Sequence, residues 1–121
     1  MKDDHEQVWK RFHDAVNMSP GEIEEWLESA ESRKVGYTRP GESESVGRAS
    51  GRRIVQILRT EKADLDGADY AHMRKVAGFV ARHRGQGPHD EYRVPVSRWR
   101  YSLMNWGHDP LKDQGAGLTR F

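Results

Sequence analysis

Lysine and arginine side chains recur at helical spacing along the middle and end of this 121-residue chain. A guanidinium can make two parallel hydrogen bonds to a phosphate or to a guanine edge, and several cations on one surface can each displace a counterion from a DNA duplex. The pattern predicts a surface that contacts nucleic acid. The predicted contact residues are Arg48, Arg52, Arg53, Arg59, Arg74, Lys75, Arg82, Arg98, Arg100 and Lys112.

A second group of residues, near the end of the chain, combines two tryptophans with a Gly-His-Asp sequence. Tryptophan beside arginine can stack on exposed bases. However, Trp99 and Trp106 lie seven residues apart on an apolar stripe, which favours burial in the core. We expect Asp109 to cap backbone amides and His108 to bond helix-terminal carbonyls. The predicted structural motif, which fixes the last helix, is Trp99, Trp106, Gly107, His108 and Asp109.

Three His-Asp pairs are of the kind that an all-helical, metal-dependent phosphohydrolase uses. They are His13-Asp14, His89-Asp90 and His108-Asp109, and His83 with Asp113 could complete such a site. No two histidines have the three-residue separation of a helical zinc pair, and the chain has no cysteine, no Gly-x-Ser-x-Gly and no Walker loop. We therefore expect no catalytic residue, metal or cofactor, and the phosphohydrolase is the least favoured alternative.

The sequence pattern predicts five helices, which must position these residues. They are predicted at residues 4–17, 19–31, 46–59, 66–84 and, starting at 94 or 95, up to 107. Trp9, Phe12 and Val16 recur at i, i+3 and i+7, the spacing of one helical face. Ser19 with Glu22 makes a capping box at the start of the second helix.

The later helices carry similar signals. Asp66 caps the fourth helix with Asp69 three residues on, and Val96, Trp99, Leu103 and Trp106 form a predicted core face in the last helix. Nothing in the chain indicates a strand. The sequence therefore predicts an all-α fold: one domain, residues 1–121, with a flexible polar loop at 32–45 and a loose tail at 113–121.

Within the third predicted helix, Arg48, Arg52 and Arg59 share one edge. That edge is offset from Ile54 and Ile57, so we expect it to face solvent over about 16 Å of helix. The connector at residues 60–65 is longer than the three- or four-residue turn of a strict helix-turn-helix.

Charge is distributed unevenly along the chain. Residues 1–45 hold 6 Lys+Arg and 11 Asp+Glu, whereas residues 46–121 hold 14 Lys+Arg and 8 Asp+Glu, within a net charge of +1. Such asymmetry indicates an anionic partner, or an acidic front half that docks on the basic back half. DNA is the first expected partner. The alternative is a protein-interaction module, either a homo-oligomer or one whose basic face meets an acidic protein.

Composition excludes several protein classes. Hydrophobic residues make up 35% and charged residues 32% of the chain. No apolar run reaches the roughly 18 residues that a membrane span needs. The polar, acidic start does not resemble a secretory signal, and the absence of cysteine fits a reducing compartment. We therefore expect a cytoplasmic protein that does not enter the membrane.

Several stretches resemble a small family of unknown function found in bacteria and fungi. They are Trp9 to Phe12, Gly51-Arg52-Arg53-Ile54-Val55-Gln56-Ile57-Leu58, residues 74–83, and residues 97–112 with the ending Trp106-Gly107-His108-Asp109-Pro110-Leu111-Lys112. Members of this family are often labelled DNA-binding proteins. The resemblance therefore implies a non-enzymatic, DNA-associated domain, although it assigns no role to any residue.

Overall fold

Every regular element in the part of the chain that the structure describes is helical. The computed structural model describes residues 2–88 and 91–112. Its α-helices are α1 (Lys2–Ala15), α2 (Pro20–Leu27), α3 (Ala30–Arg33), α4 (Val46–Leu58), α5 (Gly67–Gln86) and α6 (Arg98–Asn105). Two 3-10 helices, Lys62–Asp64 and Glu91–Val96, precede α5 and α6. The predicted all-α class is confirmed, and the five predicted helices correspond to α1, α2, α4, α5 and α6.

The helix starts follow from local side-chain chemistry. Ser19 and Glu22 form the predicted capping box at α2, and Asp66 and Asp69 form the one predicted at α5. A hydroxyl or carboxylate at this position satisfies an amide that has no partner within the helix. Ser97 has the same role at the start of α6. This helix begins at Arg98 rather than at residue 94 or 95.

Other predicted boundaries are also shifted, and α1 ends at Ala15 rather than at residue 17. Residues 32 and 33, which the sequence predicts to lie in the loop, belong to α3, and α2 ends at Leu27 instead of continuing to residue 31. The fourth predicted helix extends to Gln86 because Gly87, with φ of +71°, takes the C-terminal cap. The flexibility of residues 34–45 stays a prediction, and the tail at 113–121 lies outside the described residues.

The helices pack around one apolar core. Helix α1 lies along α5, α2 lies against α4, and α6 contacts α2, α3, α4 and α5. The fully buried side chains come from all the longer helices and include Phe12, Ile23, Leu27, Ile54, Met73 and Leu103. Val96, which the periodicity placed in this core, is 62% exposed because it precedes α6. None of the helices in the described parts is both long and apolar enough to cross a membrane.

Helix α4 approaches the end of α6 at Gly51. A β-carbon built on Gly51 would lie 2.6 Å from the carbonyl oxygen of Asn105 and 3.1 Å from a methyl group of Leu27. Only hydrogen fits between these backbones.

This contact predicts that Gly51→Ala lowers the free energy of unfolding by about 1–3 kcal/mol, because a methyl group would overpack the contact. Gly85→Ala is the matched control, since nothing lies within 4 Å of its added β-carbon in the last turn of α5. That control should gain up to about 1 kcal/mol from helix propensity. Urea denaturation of both variants tests the contact, and a Gly51→Ala protein as stable as the control would contradict it.

Candidate nucleic-acid interface

Arg48 is the first of the predicted contact residues, and the structure places it inside the protein. It is only 8% exposed. Its guanidinium donates to Ser32 Oγ at 3.2 Å, to Glu44 Oε2 at 2.9 Å and to the carbonyl oxygen of Leu27 at 2.6 Å. The expectation that Arg48 faces solvent is therefore wrong, because α2, α3 and residues 34–45 cover this side of α4. Helical periodicity places Arg48 on one side of α4, but it does not show which segments pack against that side.

Asn105 continues the hydrogen bonding of Arg48 into α6. Its Oδ1 accepts from Trp26 Nε1 at 2.7 Å and from the hydroxyl of Ser32, and its Nδ2 donates to the carbonyl oxygen of Ser32 at 3.2 Å. Ser32 and Asn105 are 0% and 1% exposed. These three side chains, the Arg48–Ser32–Asn105 network, join α3, α4 and α6. The sequence alone does not indicate this network, because single polar residues on short helices have no periodic signal.

The remaining edge residues of α4 face solvent, but each meets a carboxylate. An Arg52 nitrogen lies 2.8 Å from Glu44, which also holds Arg48. Arg59 makes a two-pronged contact with Glu24, at 2.7 and 2.8 Å. The α4 edge is therefore a row of ion pairs, and its positive charge is largely balanced within the chain.

Two further predicted contact residues are also paired. Arg53 lies 2.9 Å from Asp69 of α5. Lys112 lies 2.7 Å from Glu22 and donates to the carbonyl oxygen of Asn17 at 3.0 Å. These ion pairs of the predicted contact residues join neighbouring segments of the chain.

The acidic front half supplies many of these partners. Seven ion pairs form within residues 2–88 and 91–112. Five of them join a carboxylate from residues 1–45 to a cation from residues 46–121. The charge asymmetry of the sequence thus reflects, in large part, one half of the chain docking on the other.

Arg74, Lys75 and Arg82 on α5 differ from the cations of α4. All three are exposed. No carboxylate of the described residues lies within 4.0 Å of them, and the same holds for exposed Arg98 at the start of α6. Within the described ranges, the predicted contact residues whose cationic groups have no acidic partner are therefore Arg74, Lys75, Arg82 and Arg98.

The C-terminal segment, residues 106–112, is bound to the turn between α1 and α2. The carbonyl oxygen of Gly107 accepts from the amide of Asn17 at 3.1 Å. The side-chain amide of Asn17 donates to the carbonyl oxygen of Asp109 at 3.0 Å and accepts from its amide at 2.8 Å. Gly107 has φ of +79°, and a β-carbon there would lie 3.1 Å from Val16. This close, left-handed turn requires glycine.

Side chains of the C-terminal segment complete the attachment. The Nδ1 of His108, which is 2% exposed, donates to the carbonyl oxygen of Ala15 at 2.7 Å. The carboxylate of Asp109 accepts from Nε and Nη2 of Arg100 at 3.1 and 3.0 Å. His108 therefore hydrogen-bonds a carbonyl at the end of α1 rather than one at the end of α6. Arg100 helps to hold the C-terminal segment through its contact with Asp109.

Burial by itself would raise the pKa of Asp109, but the hydrogen bonds from Arg100 and from the amide of Leu111, with the charges of Arg100 and Lys112, lower it. A carboxylate with a lowered pKa stabilises the fold above its ordinary pKa of 3.8. This contribution is lost as the pH falls through the lowered value, because the folded protein must then take up the proton.

The Asp109–Arg100 pair predicts that Asp109→Asn lowers the free energy of unfolding at pH 7 by about 1.5–3 kcal/mol, the range for hydrogen bonds to charged groups. The difference from the parent protein should narrow as the pH falls below 3.8. Glu24→Gln, which breaks the exposed pair between α2 and Arg59, is the control and should change the stability far less. Denaturation at several pH values would contradict this account if the two variants behaved alike.

The tryptophans do not form an open platform for bases. Trp106 is 5% exposed, and its ring stacks on Phe79 at 4.2 Å between ring centroids. Trp99 is partly buried against the core, and its Nε1 donates to the carbonyl oxygen of His83 at 2.8 Å.

The residues considered for metal-dependent hydrolysis have separate structural contacts. His83 stacks on Phe79, while His108 and Asp109 hold the C-terminal segment. In the described ranges, no group of three or more His, Asp or Glu side chains is arranged to hold a metal ion. The predicted ligand Asp113 and the pair at 89 and 90 lie outside those ranges.

Comparison with known proteins gives one match. The profile of a family described as "Protein of unknown function (DUF3140)" matches residues 11–104, more than half of the chain. The match ends before the C-terminal segment, so it does not include the Trp-Gly-His-Asp ending. No curated protein and no solved structure matches the chain.

Proposed function

We propose that this chain, which belongs to the DUF3140 family, is a non-enzymatic domain that associates with DNA through the outer face of α5. This α5 face consists of Arg74, Lys75 and Arg82, together with the small residues between them. The observation that carries the proposal is the contrast between the two helices. The cations of α4 face carboxylates, whereas those of the α5 face are exposed with no described carboxylate within 4.0 Å.

Helix geometry supports a phosphate-contacting role for the α5 face. At about 100° per residue, Arg74, Lys75 and Arg82 fall within an arc of about 100°. Arg74 and Arg82 are eight residues apart, about 12 Å along the axis. Since one strand of a duplex carries a phosphate about every 3.4 Å of axis, such a row can meet several phosphates.

The α5 face also permits close approach. Ala71, Gly78 and Gly85 lie at seven-residue spacing among the three cations. Nη1 of Arg82 would lie 3.1 Å from a β-carbon built on Gly78, so its guanidinium lies over that glycine. A surface of short side chains and cations lets a phosphate backbone reach the helix without displacing a bulky group.

The alternative function is interaction with an acidic protein, including a second copy of this chain. Small residues every seven positions also suit helix-to-helix contact. DNA is favoured because the cations of this face have no described acidic partner and none of its side chains is large and apolar. Binding measurements separate the two functions.

The proposal predicts that a short DNA duplex binds with an affinity that falls steeply as salt rises. Arg74→Gln/Arg82→Gln should weaken binding to every duplex sequence and flatten the plot of log affinity against log salt by about 0.9 unit per lost contact. Both residues are exposed and have no described ion pair, so the melting temperature should hardly change.

The matched control is Arg52→Gln/Arg59→Gln, which removes two cations from the α4 edge. Because Glu44 and Glu24 already pair with them, this change should leave the salt slope nearly unaltered. Equal effects of the two double variants would refute the assignment to α5. Absence of binding at about 50 mM salt would refute DNA association and leave the acidic protein partner as the account of this face.

A further inference from the structure

A groove between α4 and α5 contains a serine–histidine pair that the proposed function does not use. The groove has a volume of about 400 Å³. It is lined by residues of the 34–45 segment, of α4 and of α5. Those used below are Arg39, Ser50, Arg52, Arg53, His72 and Lys75.

Ser50 and His72 are held in fixed positions. Ser50 is 4% exposed, and its Oγ lies 2.9 Å from Nε2 of His72, within hydrogen-bonding distance. The imidazole is nearly parallel to the indole of Trp106, at 9° and 6.4 Å between centroids. The pair therefore presents a hydroxyl and an imidazole from well-packed helices.

Four cationic side chains line the groove with this pair, and so do two carboxylates, Glu42 and Glu44. Arg53 uses Nη2 for its contact with Asp69, and Arg52 faces Glu44. Arg39 and Lys75 have no carboxylate of the described residues within 4.0 Å.

Positive charges beside the groove act on the imidazole of His72. The pKa of His72 is lowered, first by burial and then by the charges of Arg53 and Lys75, against smaller opposing effects of a hydrogen bond to the Ser50 backbone and of the Asp69 charge. An anion bound beside the ring would offset these two positive charges and relieve that effect.

We propose that the α4–α5 groove binds a phosphate group. A phosphate offers several acceptor oxygens and a charge near −2. The groove places an ammonium, a guanidinium, a hydroxyl and an imidazole around one space, and these groups are suited to such oxygens. Its volume lies within the range of small-molecule sites, about 300–1,000 Å³.

Binding, rather than catalysis, is the role that the geometry supports. A serine nucleophile also needs donors aimed at the developing oxyanion. Ser50 lies within α4, where backbone amides are engaged in helical hydrogen bonds. The Ser50–His72 pair is therefore assigned to the recognition of phosphate oxygens.

The test is an NMR titration of the histidine rings in the intact protein, with and without inorganic phosphate, at ionic strength matched with sodium chloride. We expect saturable phosphate binding that raises the pKa of His72, since a nearby anion favours the imidazolium. His5 and His13, on α1, serve as internal references. A pKa shift of His72 no larger than theirs would overturn the proposal.

Lys75→Gln should weaken phosphate binding roughly tenfold to a hundredfold, the effect of losing one charge-assisted hydrogen bond. Lys75 has no described ion pair, so the variant should fold normally, which its melting temperature will show. Lys10→Gln is the matched control, because Lys10 is an exposed lysine on α1 that does not line the α4–α5 groove. Equal phosphate affinity in the two variants would also overturn the proposal.

Competition identifies where the phosphate comes from. A short duplex with 5′-hydroxyl ends that displaces inorganic phosphate from the groove would support a backbone phosphate as the ligand. Displacement by a small phosphate monoester but not by that duplex would support a phosphorylated metabolite. The phosphate titration is independent of the α5 double variant, so either proposal can fail while the other stands.

Discussion

The buried guanidinium of Arg48 is the interaction on which the arrangement of the helices depends. A cation removed from water is costly unless its donors are satisfied. Here they reach Ser32, Glu44 and the carbonyl oxygen of Leu27. Ser32 passes the hydrogen bonding on to Asn105. The short helix α3, the end of α2 and the end of α6 are thereby fixed around α4.

This constraint also decides where positive charge stays available. Glu44 approaches α4 to meet Arg48 and neutralises Arg52 at the same time. The close contact at Gly51 brings the end of α6 against α4. Helix α4 is thus occupied by internal contacts on several sides, whereas α5 packs mainly on α1 and leaves Arg74, Lys75 and Arg82 exposed. The sequence pattern predicts phosphate contacts on both α4 and α5. Because the cations of α4 are paired within the chain, α5 is the helix that we propose contacts DNA.

Features that depend on local chemistry were predictable from the sequence. Apolar periodicity located the long helices, and the capping boxes at Ser19 and Asp66 marked two of their starts. Contacts between distant segments were not predictable. The pattern that put Arg48 on an exposed edge was geometrically sound, but only the fold shows that α3 covers it. The Ser50–His72 pair likewise joins two helices, and neither residue stands out in its own segment.

The most direct test of this account compares two arginines one turn apart on α4 by urea denaturation. Arg48→Gln should lower the free energy of unfolding by about 3–5 kcal/mol, because it leaves buried polar groups without their partner. Arg52→Gln should cost no more than about 1 kcal/mol, because Arg52 is exposed. If Arg48→Gln does not fold, Arg48→Lys should still fold with a smaller loss. An Arg48→Gln protein as stable as Arg52→Gln would contradict the structural role of Arg48.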